Sequence, residues 1–205
     1  MTRQGLKVLL DTDDEQEATQ WITEFLTQVR QEWPKKPLGV ILDIDNTVIM
    51  TPSRRRALGV TSPKLALGTA VYAEALRLGF QVYFVTARGH TEQVRQFTES
   101  ELQHYGFGQH EGLFLMPDVT RPTVESIGIY KTAIRTMLHQ HAAPIVLTVG
   151  DQWTDLLDLP PLGRPPRLAD QDYRLLSHQK TSHRYLAVKE PGLAAVGVKV
   201  PDRPM

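Results

Sequence analysis

The stretch Gly39-Val40-Ile41-Leu42-Asp43-Ile44-Asp45-Asn46-Thr47 decides how the chain is read. From Leu38 to Leu42 it is an unbroken apolar run without alternation, the pattern of a parallel strand covered on both faces. It then places two carboxylates one residue apart. If extended geometry persists, Asp43 and Asp45 point to the same side. Two like charges aimed at one spot are unfavourable unless a cation or a shared proton lies between them.

On the N-terminal side, Ala18, Trp21, Ile22, Phe25, Leu26, Val29 and Trp33 recur at helical spacing, and Pro34 ends the pattern. A helix from Asp14 to Trp33 is expected. On the C-terminal side, Ser62-Pro63 reads as the N-cap and first-turn proline of a helix reaching Leu78, with Gly79 as its stop. Phe80 to Thr86 is a second strand. Thr91 to Tyr105 is a helix stopped by Gly106, with Val94, Phe97 and Leu102 on one side. Leu113 to Met116 is a short strand, and Ile129 to Gln140 a helix with Ile134, Met137 and Leu138 turned inward. Pro144 to Val149 is another buried strand, and Ala194 to Val200 reads as a final edge strand.

Strands alternating with helices predict an α/β protein, a doubly wound, Rossmann-like parallel sheet flanked by helices. In such sheets chemistry collects at the carboxyl ends of the strands. Polar groups fall there in this chain: Asp43 and Asp45 after the first strand of the core, Thr86 after the next, Gly150-Asp151 after the last of the run. The expected layout is one domain over 1–205. It divides into an N-terminal helical extension at 1–37, a catalytic core at 38–159, an insertion or linker at 160–186, and a final strand and tail at 187–205. The intervals between Asp45, Thr86 and Lys131 leave room for only a small cap.

Composition narrows the function classes. Lysine and arginine balance aspartate and glutamate at 23 each, so no global field argues for nucleic acid. Cysteine is absent, which excludes a disulfide scaffold and thiol catalysis. The seven histidines show no ligand spacing, so zinc is not supported. The apolar run at Val8 to Leu10, with Leu6 nearby, is too short for a signal-peptide core, and no stretch approaches a membrane span. A cytoplasmic protein without membrane or nucleic-acid partners is the expectation, and its oligomeric state is not readable.

Four short pieces carry the chemistry: DIDNT at Asp43 to Thr47, VTARG at Val85 to Gly89, YKTAIR at Tyr130 to Arg135, and GDQWTDL at Gly150 to Leu156. In order, spacing and strand context they resemble the haloacid dehalogenase-like phosphohydrolases. Within that superfamily they look most like the class B and plant-type acid phosphatases and vegetative storage proteins. DxDxT alone is moderately specific; joined to the Thr, Lys and GDxxxD pieces in order it is strong.

The resemblance implies a Mg²⁺-dependent phosphomonoester hydrolase. Asp43 would be the nucleophile, forming an aspartyl-phosphate. Asp45 would act as general acid and then base. Mg²⁺ would be held by Asp43, the backbone carbonyl of Asp45, and Asp151. Thr86 and Lys131 would bind the phosphoryl oxygens. Thr47 would steady the turn, Asp155 would orient Lys131 or a metal-bound water, and Ala87 and Arg88 would support the phosphate loop. The substrate would be a small phosphorylated metabolite or nucleotide. A phosphotransferase or phosphomutase sharing the intermediate is the alternative, and a storage or binding protein on the same fold is another.

Each of these pieces is also compatible with an ordinary structural role. Two acids after so apolar a strand favour function over a turn cap. Thr86 alone reads as an ordinary strand end, Lys131 alone as a solvated lysine in a helix's first turn, and Asp151 with Asp155 as ordinary first-turn acids. Only their joint occurrence shifts the odds. Arg54-Arg55-Arg56 reads as a solvated face, Arg135 as a helix surface charge and Trp153 as packing. The glycines of GFGQHEG open no helix, which rejects a dinucleotide fingerprint.

Overall fold

The computed structural model describes residues 7–10, 15–59, 61–117, 122–156, 173–175, 186–189 and 195–199. Parallel strands β2 (Gly39–Leu42), β3 (Gln81–Gly89), β4 (Gly112–Met116) and β5 (Ile145–Gly150) form the core, in the spatial order β4-β3-β2-β5. They are connected through α3 (Ala66–Arg77), α4 (Glu92–His104) and α5 (Val124–His141). The chain winds outward from β2 to β4, then returns to β5 on the other side of β2. The direction of winding therefore reverses between β2 and β5, the place where open α/β sheets bind their ligands.

The apolar run that opened the sequence is completely covered: Val40, Ile41 and Leu42 are all buried, as are Leu147 and Val149 on β5 and Phe84 on β3. One face of the sheet packs against α1 (Glu15–Glu32) and α3 through Ile22, Leu26, Leu67, Val71 and Ala75. The other is covered by α5 through Leu138 and Ile134 over Ile41, Tyr83 and Val85. This two-sided burial is why the strands read as continuous hydrophobic runs.

Beyond β5 the sheet extends through β8 (Ala195–Lys199), β7 (Leu186–Lys189), β1 (Lys7–Leu10) and β6 (Tyr173–Leu175). The strand expected at Ala194 to Val200 is therefore not an edge strand. β8 runs parallel to β5 on one side and antiparallel to β7 on the other. Sequence reading could not place it, because its partner β7 belongs to a stretch without a clear pattern. Most of the expected 160–186 insertion lies outside the described residues, as does the tail beyond Lys199. Among the described residues no helix is long and apolar enough to cross a membrane.

Two helix boundaries differ from expectation. The helix predicted from Ser62-Pro63 begins only at Ala66, and a short α2 (Pro52–Leu58) precedes it, with Pro52 at its start and Gly59 at φ 63° closing it. The cause is a pairing that holds 63–65 extended. Met50 N–H donates to the Pro63 carbonyl at 2.6 Å, and Leu65 N–H donates to the Val48 carbonyl at 3.1 Å. At the other helix, α5 starts five residues before the predicted Ile129. Thr123 caps it with a reciprocal box: its hydroxyl accepts from Ser126 N–H, and the Ser126 hydroxyl accepts from Thr123 N–H. Met137, expected to turn inward, is 36% exposed, and Phe97, grouped with Val94 and Leu102 on one side of its helix, is 63% exposed.

Candidate active site

The acids after β2 do not continue the strand. Regular pairing stops at Leu42, and the Ile44 carbonyl then accepts from the N–H groups of Thr47, Val48 and Ile49 in one tight loop. Asn46 takes φ 59°, a left-handed conformation that asparagine tolerates better than most residues. Its side-chain oxygen accepts from the Thr51 N–H and hydroxyl, fixing the exit of the loop. Asp43 and Asp45 line the same cleft, but they take different partners.

Asp43 is 5% exposed and pinned by its backbone, whose N–H donates to the Val149 carbonyl at 2.9 Å. Lys131 Nζ donates to Asp43 Oδ1 at 2.7 Å, and the Thr47 hydroxyl donates to Oδ2 at 3.2 Å. The same ammonium donates to Asp155 Oδ1, while Asp155 Oδ2 accepts from Gln152 N–H at 2.9 Å. Lys131 is not in a first helical turn, as its sequence neighbours suggested; it lies well inside α5, 4% exposed. Gly150 is required beneath this arrangement, because a Cβ there would collide with the Asp155 side chain.

Arg135, expected on the surface, is 8% exposed. It lies one helical turn beyond Lys131 on α5 and donates to the Thr154 and Asp155 carbonyls at 3.1 and 2.8 Å. It thus ties α5 to α6 (Trp153–Leu156), the short helix that carries Asp155. The side chain of Trp153 lies outside the described residues.

Charge is concentrated here. Burial pushes the Asp43 carboxyl up to about 8; the nearby Asp155 and Asp151 carboxylates add to the rise, against the pull of Lys131. Burial alone would lower Lys131, but Asp43 and Asp155 outweigh it and hold the ammonium above its ordinary value. Asp43, Asp151 and Asp155 each offer a carboxylate oxygen within 4.8 Å of the others. Three buried carboxylates, two of them bonded to one ammonium, with oxygen donors only, make a set that fits a hard divalent cation such as Mg²⁺.

Asp45 meets a different cation. Arg88 Nε and Nη2 donate to its two carboxylate oxygens, each at 2.8 Å, a bidentate fork. Arg88 lies where the register of β3 against β4 shifts, between Thr86 and Gly89, and such local departures from regular pairing are common beside active sites. Its Nη1 lies 2.8 Å from Glu101 and donates to the Thr98 hydroxyl at 3.1 Å, both on α4. Burial opposes the guanidinium charge, yet Asp45 and Glu101 raise its pKa above the ordinary arginine value. Thr86, 1% exposed, receives the Arg88 N–H on its hydroxyl at 3.3 Å.

One cleft of about 430 Å³ gathers these residues: Asp43, Asp45, Thr86, Ala87, Arg88, Lys131 and Asp151 all line it. Thr47 and Asp155 stand just behind through their bonds to Asp43 and Lys131. Sequence reading missed Thr98, Glu101, Asn46 and Gly68. Gly68 lets α3 lie directly against the loop, since a Cβ there would meet the Thr47 carbonyl oxygen. A glycine inside a helical pattern was the available signal for it.

An α/β sheet with acids at its switch point and a buried lysine facing them forms a polar site suited to a cation and an anionic ligand. The chain belongs to the HAD superfamily, subfamily IIIB (Acid phosphatase), whose family model matches residues 8–191. It is 33% identical over 97 residues to acid phosphatase 1 of Solanum lycopersicum, covering 47% of this chain and 36% of that protein. It is 36% identical over 86 residues to the stem 28 kDa glycoprotein of Glycine max, covering 42% and 33% respectively. The matched region is thus about a third of the length of these relatives. Among solved structures, the class C acid phosphatase of Bacillus anthracis aligns with a TM-score of 0.47 and 18% identity, covering 71% of this chain and 66% of that one.

Proposed function

We propose that the protein hydrolyses phosphomonoesters with Mg²⁺ through an aspartyl-phosphate on Asp43, and that residues 38–159 form the catalytic core. The observation that carries this is the buried Lys131 ammonium 2.7 Å from Asp43, with Asp151 within ligand reach, at the reversal point of the sheet. Asp43, Asp151 and the Asp45 backbone carbonyl would hold the cation. Bound there, it would neutralise phosphate charge and keep the Asp43 carboxylate ionised.

The residues of the chain divide the work. Thr86 and Lys131 hold the non-bridging phosphoryl oxygens, where charge is spread in phosphoryl transfer. A bond forms between an Asp43 oxygen and phosphorus as the bond from phosphorus to the ester oxygen breaks. Asp45 delivers a proton to that departing oxygen, so the product leaves as an alcohol. It then takes a proton from the water that attacks phosphorus, releasing inorganic phosphate and restoring Asp43. Both Asp45 oxygens accept from Arg88, so this role requires Asp45 to turn from that fork toward substrate. Asp155 keeps Lys131 aimed at Asp43, and Thr47 keeps the carboxylate oriented.

The test is a panel of phosphomonoesters, nucleotides among them, assayed with Mg²⁺ or with EDTA, comparing the native protein with Asp43→Asn. Turnover should require both the cation and Asp43, and should release alcohol and inorganic phosphate in equal amounts. Turnover that survives EDTA and the substitution would overturn the mechanism. Alcohol released in excess of phosphate would mark transfer to an acceptor instead.

A further inference from the structure

The wall of the cleft beyond the phosphate groups is built by the start of α5, and its chemistry is apolar. Val124, Ile127 and Lys131 stand at i, i+3 and i+7, a spacing that places all three on one helix face. All three line the same cleft. Lys131 lies at its floor against Asp43, 4% exposed, whereas Val124 is 75% exposed at its lip. At a rise of about 1.5 Å per residue, Ile127 is about 6 Å and Val124 about 10 Å from Lys131 along the axis.

This end of the helix is held in place. The Thr123–Ser126 box caps it, with bonds of 3.1 and 2.9 Å. The apolar pair therefore stands at a set distance from the phosphate anchor. The remaining rim is polar, with Asn46 and Gln152. A valine so exposed contributes little to the core, and it lines the cleft wall on the far side of Ile127 from Lys131.

We propose that Val124 and Ile127 form the leaving-group subsite, and that the preferred substrate is a phosphomonoester whose alcohol carries an aromatic ring lying against them. This rests on the phosphohydrolase reading of the same cleft. A ring covering Val124 would remove apolar surface from water on both partners. A short polyol phosphate would reach the phosphate anchor and leave the valine wet.

Non-hydrolysable phosphonates separate the two ideas. The Mg²⁺-loaded protein is titrated calorimetrically with methylphosphonate, which reports the anchor alone, and with naphthylmethylphosphonate, which adds the ring. Native protein is expected to bind the naphthyl compound about tenfold more tightly, the gain expected from covering one aliphatic side chain. Val124→Ser should reduce that preference to about threefold or less with methylphosphonate affinity and melting temperature unchanged, since the residue is exposed. Val124→Leu should keep the preference. Methylphosphonate binding with no naphthyl preference, or a preference untouched by Val124→Ser, overturns the subsite alone. Failure of both phosphonates to bind overturns the phosphate site and the subsite together.

Discussion

Lys131 donates to Asp43 at 2.7 Å across 88 residues of sequence, and the same ammonium bonds Asp155. One side chain from α5 thereby joins the loop after β2 to the helix after β5. Removing one member of a buried ion set leaves charges without compensation, typically at a cost of about 3–5 kcal/mol. Lys131→Met is therefore expected to lower the urea midpoint sharply in EDTA and to abolish turnover. Added Mg²⁺ should recover part of the stability but not the activity. An unchanged midpoint in EDTA would show that the triad is not coupled to folding.

The raised Asp43 carboxyl gives a pH dependence with a definite sign. Its folded value, about 8, lies above that of the unfolded chain. The folded state thus binds the extra proton between the two values, and stability falls as pH rises through that window. Burial lowers His110, which acts in the opposite sense near its own range. The difference between native and Asp43→Asn protein isolates the aspartate. In EDTA, the melting temperature of the native protein should drop relative to Asp43→Asn between about pH 5 and pH 8. A native curve that rises relative to the variant over that span would contradict the assignment.

Arg88 is expected to hold Asp45 beside the cleft in the position from which it turns toward substrate, because the fork uses both carboxylate oxygens while Glu101 and Thr98 hold the guanidinium. A lysine cannot reproduce that geometry. Arg88→Lys should lower kcat about 10- to 100-fold with little change in KM, misplacement of a catalytic group being costly. The loss should be greater on alkyl phosphates than on nitrophenyl phosphate, whose leaving group needs no proton. Equal losses on both would assign Arg88 to structure alone.

Gly68 is the contact point between α3 and the loop that carries the acids. Gly68→Ala must displace one of them, and overpacking of this kind costs about 1–3 kcal/mol. Gly89 provides the control: nothing lies within 4 Å of where its Cβ would be. Chemical denaturation should separate the two alanine variants clearly. Similar stabilities would show that the loop yields without cost.

The sheet and its acids were legible because their physical causes are local. A strand covered on both faces must be apolar throughout, and polar residues that follow it fall at the sheet's carboxyl edge, as Asp43 and Asp151 do. What was not legible depends on partners distant in sequence. Thr51-Pro52 and Ser62-Pro63 carry the same helix-start signal, yet only the first opens a helix, because Met50 and Leu65 pair the second with the loop at Val48. Arg135 has the sequence context of a surface charge, and only the packing of α6 on α5 makes it a buried tie. The start of α5 carries only the apolar pair Val124 and Ile127, but Thr123 is a residue type that caps helices and would have placed Val124 on the helix.

Mass spectrometry of the Asp45→Asn variant tests for the covalent phosphate on Asp43. This variant retains the nucleophile but lacks the group that activates water. Mixed with Mg²⁺ and nitrophenyl phosphate, then quenched in acid, it should gain the mass of one phosphoryl group on the peptide containing Asp43, and Asp43→Asn should gain none. Release of nitrophenol from Asp45→Asn with no covalent phosphate, or phosphate on a different residue, would contradict the account.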